Sequence, residues 1–329
     1  MTPVAIIGGG AWGTALAVLA ARTGRRATIW ARDPEIVTAI NQSRENTVYL
    51  PGVALSPAIV ATSTIAEALA DAAAALLAVP AQFVRAVLER LAPALSPGLP
   101  LLLCAKGIET ASLKLMSELT AEIVADTPLA VLSGPSFAAE VARGLPAAVT
   151  IAAGDTAVAH RFMEALGNPR FRPYLSSDPV GVEIGGAVKN VIAIACGIVT
   201  GRGLGDNARA ALITRGLAEM MRLGAAKGGR AETFGGLSGL GDLVLTCTGV
   251  QSRNHALGIA LGRGDALAQA LTGRRSVVEG VATAGAVCRL AARLGVEMPI
   301  AAAVDAVLHR GMAIDDMIEQ LLARPYRSE

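Results

Sequence analysis

The chain has few of the residues on which nucleic-acid and metal sites usually depend. Five phenylalanines, three tyrosines and two tryptophans in 329 residues leave few rings for stacking on nucleobases. The three histidines are scattered without metal-ligand spacing: His160, His255 and His309. Lys and Arg total 29 against 27 Asp and Glu, so no excess of charge favours nucleic acid or an anionic membrane. We expect neither a nucleic-acid partner nor a metal centre.

Cysteine is scarce as well. The four cysteines lie far apart and form no C-x-x-C pair: Cys104, Cys196, Cys247 and Cys288. This pattern predicts reduced thiols in a cytoplasmic protein and no disulfide framework. The uncharged stretch Val4–Ala21 does not resemble a signal peptide, because the first cation of the chain is Arg22. We therefore expect no targeting segment and no membrane span.

Short apolar runs alternate with helical patterns through the first half of the chain, which is typical of a mainly parallel sheet covered on both faces. The predicted strands are Val4–Gly8, Ala27–Trp30, Ile59–Thr62, Ala74–Val79, Leu99–Ala105, Leu129–Ser133, Ala147–Ala152 and Phe171–Leu175. After Asp178 the pattern is almost entirely helical. The sequence predicts an α/β fold, with a Rossmann-type doubly wound sheet in residues 1–178 and an all-helical domain in residues 179–329.

Glycines follow the first predicted strand at the spacing G-x-G-x-x-G. Gly8 permits the tight turn, Gly10 lets the backbone approach a pyrophosphate, and Gly13 lets the helix pack closely on the strand. The amino terminus of the following helix presents N–H groups to phosphates. We predict a dinucleotide cofactor, although a glycine-rich turn without a ligand is the simpler alternative.

Two residues of opposite charge, Arg32 and Asp33, follow the second predicted strand. An acidic residue there usually binds the ribose 2′-hydroxyl of NAD, whereas an arginine accommodates the 2′-phosphate of NADP. Asp33 precedes Pro34 and a predicted helix, so it is also a candidate N-cap. In that case Arg32 is available for a 2′-phosphate, and we predict NADP(H), with NAD(H) tolerated.

Lys189 is the only cation in the apolar helical stretch Val180–Val199. A buried ammonium costs several kcal/mol unless a partner compensates its charge. Such a lysine, in a chain that binds a nicotinamide, indicates proton transfer to the group that is reduced or oxidised.

Further polar residues stand at the starts of helices and the ends of strands. Lys106 and Ser136 follow predicted strands, at the edge where open α/β sheets bind ligands, although either could be an ordinary solvated or capping residue. Asp242 is a candidate partner for Lys189 or a simple N-cap. Arg253 could grip a phosphate or lie on the surface.

Long motifs make the chain similar to the bacterial-type glycerol-3-phosphate dehydrogenases that use NAD(P). They are IGGGAWGTALA from Ile7, CAKGIE from Cys104, SGPSFAAE from Ser133, GGAVKNVIAI from Gly185, GDNARAALITRGLAEM from Gly205, GLSGLGDLVLTCT from Gly236, QSRNHALG from Gln251 and VVEG from Val277. One position departs from the pattern, because Ala11 stands where many relatives have serine. Arg32 replaces the histidine of some relatives and keeps a basic group.

This resemblance implies roles for individual residues. Lys189 is expected to donate and accept the proton, with Lys106 and Asp242 as further catalytic groups. The implied substrate contacts are Lys106, Gly134, Ser136, Lys189, Asp242, Ser252, Arg253 and Asn254. The implied cofactor contacts are Gly8, Gly10, Ala11, Trp12, Gly13, Arg32, Lys106, Ala138, Arg253, Val277 and Glu279.

The implied reaction is reduction of dihydroxyacetone phosphate to sn-glycerol 3-phosphate by NADP(H) or NAD(H), which supplies phospholipid synthesis. The resemblance also suggests a homodimer. Two alternatives stay open at this point. One is another two-domain NAD(P)-dependent hydroxyacid or hydroxyacyl dehydrogenase, and the other is a nicotinamide-binding sensor without catalytic activity.

Overall fold

The computed structural model describes residues 3–323 and 325. Internal contacts group the chain into two compact units. The first unit extends to Lys106 and resumes over Lys114–Glu183, and the second holds Gly107–Leu113 and the chain from Ile184 onward. This division falls inside one helix, Pro179–Arg202, whereas the boundary at residue 178 stays a prediction from the sequence.

The first unit contains a single large sheet. Its strands, over the described residues, are β1 Val4–Ile7, β2 Ala27–Trp30, β3 Ile59–Thr62, β4 Ala74–Leu77, β5 Leu101–Leu103, β6 Leu129–Ser133, β7 Ala147–Ala152 and β8 Phe171–Ser176. They lie in the order β3-β2-β1-β4-β5-β6-β7-β8. Neighbouring strands are parallel except β6 and β7, which are antiparallel. The predicted doubly wound, mainly parallel sheet is confirmed.

Both faces of this sheet are apolar and both are covered by helices. In β1, Val4 and Ile6 belong to one buried cluster and Ala5 and Ile7 to the other, because successive side chains of a strand point to opposite faces. The helices of the unit are α1 Ala11–Arg22, α2 Pro34–Thr38, α3 Ile65–Leu69, α4 Val84–Leu91, α5 Met116–Ile123, α6 Ala138–Arg143 and α7 Thr156–Leu166, with a π-helical turn at Ala39–Ser43 and 3₁₀ turns at Ala81–Phe83 and Ala92–Ala94.

From Ile184 onward the described residues of the second unit form helices joined by turns, as predicted. Its helices are α8 Pro179–Arg202, α9 Gly205–Lys227, α10 Ala231–Gly235, α11 Asp242–Thr248, α12 Arg253–Gly262, α13 Leu267–Leu271, α14 Glu279–Leu294, α15 Pro299–His309 and α16 Ile314–Leu322, and a π-helical segment, Leu237–Gly241, precedes α11. The four cysteines of the chain form no disulfide, and three of them are buried.

Helix α8 is the core helix of this unit. Among the described helices it alone is long and apolar enough to cross a membrane, yet its most apolar window is entirely buried in the protein, as expected for a helix that is hydrophobic all round. It meets α12 backbone to backbone. A Cβ on Gly197 would collide with the carbonyl oxygen of His255, and one on Gly258 with that of Ile194. These glycines therefore set how closely α8 approaches α12.

Candidate functional site

The glycine-rich turn after β1 has the close contacts that the fingerprint predicts. Gly8 has φ of 130°, and a Cβ on it would lie 2.7 Å from the carbonyl oxygen of Ala78. A Cβ on Gly13 would collide with the carbonyl oxygen of Gly8. These two glycines are required by the fold, because a side chain on Gly8 would meet the segment after β4 and one on Gly13 would force α1 away from β1.

Gly10 differs from Gly8 and Gly13, because a Cβ added to it would meet no atom within 4 Å. It is the N-cap residue of α1 and has no side-chain capping bond. The N-cap residue therefore offers the first N–H groups of α1 no side-chain acceptor, and the space beside its Cα is open. This arrangement fits the pyrophosphate of a dinucleotide, which needs both backbone donors and room.

Asp33 is the N-cap of α2, and its Oδ1 atom accepts a hydrogen bond from Glu35 N at 3.0 Å. The capping interpretation is thus confirmed for this residue. Arg32 is exposed at the end of β2. Its guanidinium is the basic group at the position where a 2′-phosphate would be recognised.

Lys106, Gly134 and Ser136 come together at the carboxyl ends of the adjacent parallel strands β5 and β6. The Nζ atom of Lys106 donates to the Gly134 carbonyl at 3.0 Å, and the hydroxyl of Ser136 donates to the same oxygen at 2.9 Å. Gly134 has φ of 128°, a conformation that favours glycine. The half-buried ammonium is thereby held at the edge of the sheet where ligands bind.

Lys189 lies on α8, and the exposed fraction of its surface is only 6%. Its Nζ atom donates to Asp242 Oδ1 at 2.6 Å and to Thr246 Oγ1 at 3.0 Å. Asp242 is the first residue of α11, where Gly241 is the N-cap residue, and its exposed fraction is 1%. The carboxylate is therefore a partner for Lys189 and not an N-cap.

Thr246 is a member of this cluster that we did not predict. Its hydroxyl donates to the backbone carbonyl of Asp242 at 2.6 Å while it accepts from Lys189. The four-residue spacing between Asp242 and Thr246 on a helix is a signal that could have indicated it. A buried ammonium with an oriented carboxylate and hydroxyl is suited to hydrogen-bond an oxygen and to transfer a proton.

The residues Ser252, Arg253 and Asn254 form the start of α12. Ser252 is its N-cap and accepts from His255 N at 3.2 Å. The amide of Asn254 donates to Asn190 Oδ1 and accepts from Gly280 N, both at 2.9 Å. Arg253 is solvent-exposed, yet desolvation of its head group lowers the pKa of the guanidinium, against the attraction of Glu279. It stays charged at neutral pH.

The remaining predicted cofactor residues lie at helix starts or nearby. Ala11 and Trp12 are the first residues of α1, Ala138 begins α6, Glu279 begins α14, and Val277 is exposed just before it. Burial raises the pKa of the Cys104 thiol, which neighbours Trp12, to about 12. That thiol is therefore protonated and unreactive at neutral pH. The ligand contacts of all these residues stay predictions.

Two family models match the chain. The model for the NAD-dependent glycerol-3-phosphate dehydrogenase N-terminus matches residues 3–159, and the model for the C-terminus of the same enzymes matches residues 178–319. Together they span most of the chain, with residues 160–177 between them.

Relatives and solved structures agree with these models. The glycerol-3-phosphate dehydrogenase (NAD(P)+) of Rhodospirillum rubrum is 57% identical over 326 residues, covering 99% of this chain and 93% of that protein. The enzyme of the same name from Maricaulis maris is 56% identical, covering 99% and 98%. The crystal structure of glycerol-3-phosphate dehydrogenase from Coxiella burnetii has a TM-score of 0.95 at 39% identity and covers 98% of this chain and 99% of that one.

Proposed function

Because the chain belongs to the NAD(P)-dependent glycerol-3-phosphate dehydrogenases, we propose that Lys189 exchanges the proton in its reaction. The enzyme is an oxidoreductase that acts on a CH–OH group, reducing dihydroxyacetone phosphate to sn-glycerol 3-phosphate with NADPH or NADH. Membership of this family decides against the two alternatives considered from the sequence, a hydroxyacid or hydroxyacyl dehydrogenase and an inactive sensor.

A nicotinamide held at the glycine-rich turn would supply a hydride to the carbonyl carbon of the substrate. The electron pair of the C=O π bond moves onto oxygen, and the Lys189 ammonium hydrogen-bonds to that oxygen and transfers a proton to it. Lys189 becomes a neutral amine and regains its proton from solvent. The 2.6 Å ion pair with Asp242 supports this role, since the carboxylate stabilises the charged form of the lysine before the proton is transferred.

We further propose that the Arg253 guanidinium binds the substrate phosphate. Arginine presents donors in a planar fork that fits phosphate oxygens, and phosphate binding would orient the carbonyl for reaction. Lys106 is proposed to contact both substrate and cofactor, and Gly134 and Ser136 to contact substrate. Asn254 and Ser252 would act mainly by holding the start of α12 that carries Arg253, because their side chains bond to Asn190, Gly280 and His255.

The test is a spectrophotometric assay of NADPH oxidation with dihydroxyacetone phosphate. We expect Lys189→Ala to lower kcat by a factor of about 10²–10⁴, with little change in the Kd for NADPH measured by fluorescence. Arg253→Ala should mainly raise KM for the substrate. The rise should correspond to a loss of roughly 1.5–3 kcal/mol of substrate-binding free energy.

Lys114→Ala is the matched control for Lys189, because Lys114 forms a half-exposed ion pair with Glu122 in the other unit. It should keep the parental kcat. A Lys189→Ala protein with near-parental turnover would remove Lys189 from the mechanism, and absence of activity in the parental protein would contradict the assigned substrate.

We also propose that the protein is a cytoplasmic homodimer, that its product supplies phospholipid synthesis, and that its domains divide at residue 178. These proposals rest on the family resemblance and on the end of the strand pattern. Sedimentation analysis of the purified protein tests the dimer directly.

A further inference from the structure

Asn46 is a wholly buried polar residue outside every predicted contact. It lies in the loop between the π-helical turn Ala39–Ser43 and β3. Its Nδ2 atom donates to the carbonyl of Gly9 at 2.9 Å and to the hydroxyl of Thr14 at 2.8 Å. Its Oδ1 atom accepts from Tyr49 N at 3.1 Å. Both ends of the carboxamide are therefore engaged, with the donor end on the glycine-rich turn.

Thr14 extends this connection by one residue. Its hydroxyl, which accepts from Asn46, donates to the carbonyl of Gly10 at 2.9 Å. Its backbone N–H donates to the same carbonyl at 3.0 Å. The two successive carbonyls of the turn, those of Gly9 and Gly10, are thus both tied to one buried network.

A trans peptide is planar, so its N–H points away from its C=O. A fixed Gly9 carbonyl therefore fixes the N–H of Gly10, and a fixed Gly10 carbonyl fixes the N–H of Ala11. These N–H groups are at the uncapped start of α1, where a dinucleotide phosphate binds. We propose that Asn46, through Thr14 and the Gly9 carbonyl, is a positioning residue that orients the pyrophosphate-binding N–H groups before the cofactor arrives.

The loop that carries Asn46 is itself anchored. Leu50 N donates to the backbone carbonyl of Asn46 at 2.9 Å, and Leu55 N donates to that of Arg44 at 2.8 Å. Leu50, Val53 and Leu55 are buried in the core that covers one face of the sheet. Because the loop is held by the core, Asn46 cannot follow the turn if the turn moves. Its hydrogen bonds therefore select one orientation of the glycine peptides.

The test measures cofactor binding without substrate. The Kd for NADPH and for NADH is obtained by fluorescence titration of the parental protein and of Asn46→Ala. We expect both Kd values to rise about tenfold, since the peptides must be ordered at the moment of binding. KM for dihydroxyacetone phosphate at saturating cofactor should stay at the parental value.

Asn41→Ala is the matched control. The Asn41 amide also bridges a backbone donor and acceptor, since it donates to the Ala61 carbonyl and accepts from Ala61 N, both at 2.8 Å. Both substitutions should lower the free energy of unfolding in urea, but only Asn46→Ala should change the cofactor Kd. A purely structural role would leave the Kd unchanged in both.

Thr14→Val, which keeps the side-chain shape and removes the hydroxyl, carries the test if Asn46→Ala does not fold. It should also raise the cofactor Kd, and parental affinity in whichever of these variants folds would overturn the proposal. The proposal rests on cofactor binding and is independent of the role of Lys189, because the Kd values that decide it are measured without turnover.

Discussion

The candidate site residues of the two units differ in kind. The first unit uses backbone: N–H groups at the start of α1, glycines at close approaches, and the Gly134 carbonyl that holds Lys106. The second unit uses buried charge, in the form of Lys189 and Asp242. A site built from closely packed backbone is disrupted when a side chain is added to one of its glycines. A buried ion pair is disrupted when one of its two charged groups is removed.

Buried carboxylates sharpen this contrast. Asp242 has a cation at 2.6 Å. Glu183, in the first unit, accepts from the backbone N–H of Ser117 at 2.9 Å and from the Ser117 hydroxyl. Burial raises the pKa of Glu183 to about 7, although both bonds from Ser117 oppose the rise. Neutral donors thus compensate a buried carboxylate only in part.

The largest effect is expected where one member of the buried ion pair is removed. Asp242→Asn removes the carboxylate that lies 2.6 Å from the buried Lys189 ammonium and leaves the neutral hydroxyl of Thr246 beside it. Such a loss typically costs about 3–5 kcal/mol of unfolding free energy, and urea unfolding at neutral pH measures it. The double variant Lys189→Met/Asp242→Asn should recover most of that stability, because it removes the uncompensated charge. Equal unfolding free energies of the parent and Asp242→Asn would show that Lys189 does not need the carboxylate to compensate its charge.

A smaller effect, which depends on pH, is expected at Glu183. Its pKa in the folded protein, about 7, lies above the reference value of 4.5. The folded state therefore holds this proton more tightly, and the resulting stability is complete below pH 4.5 and is lost as pH rises through 7. The loss amounts to at most about 3 kcal/mol.

Glu183→Gln isolates this titration, because glutamine keeps an acceptor for Ser117 and carries no charge at any pH. The unfolding free energy of the variant minus that of the parent should increase between pH 5 and pH 8, since the parent alone pays to ionise the buried group. Other titrating groups cancel in the difference. A difference that stays flat across this range would contradict the raised pKa.

Alanine at two glycines of the turn should separate folding from binding. In Gly13→Ala the new methyl meets the Gly8 carbonyl, and such overpacking costs about 1–3 kcal/mol of stability. In Gly10→Ala the methyl meets no protein atom, and φ of −76° suits alanine. That variant should keep its Tm and bind NADPH more weakly. A parental Kd in Gly10→Ala would mean that the cofactor does not approach this glycine.

Local pattern was sufficient to predict the elements but not most of the side-chain partners. Each predicted strand overlaps an observed one, because buried parallel strands are short apolar runs with turn residues between them. The capping role of Asp33 was also visible, since Pro34 and a helix follow it. Thr246 was missed as a partner of Lys189, and Asn46 was missed altogether. The helical spacing of Thr246 from Asp242 could have indicated Thr246, whereas the contacts of Asn46 with Gly9 and Thr14 join distant parts of the chain and leave no local pattern.

The same limit applies to the pairing of Lys189 with Asp242. The sequence predicted a buried lysine because its helix is otherwise apolar. It left two interpretations of Asp242, as a partner of Lys189 or as an N-cap. Only the fold, with α11 beginning at Asp242 and lying beside α8, distinguishes the partner from an N-cap. The burial of Lys189 could be predicted from the composition of its helix, whereas the identity of its partner, Asp242, is given only by the fold.

The smallest effect is expected at Arg32, an exposed side chain in the unit that otherwise relies on backbone. With Asp33 committed to capping α2, Arg32 can attract a 2′-phosphate, and Arg32→Ala should lower the ratio of kcat/KM for NADPH to that for NADH about tenfold. Arg172→Ala, an exposed arginine on β8, should leave the ratio unchanged. A parental enzyme that strongly prefers NADH would refute this assignment, and it would imply that the adenosine end of the cofactor is recognised without charge.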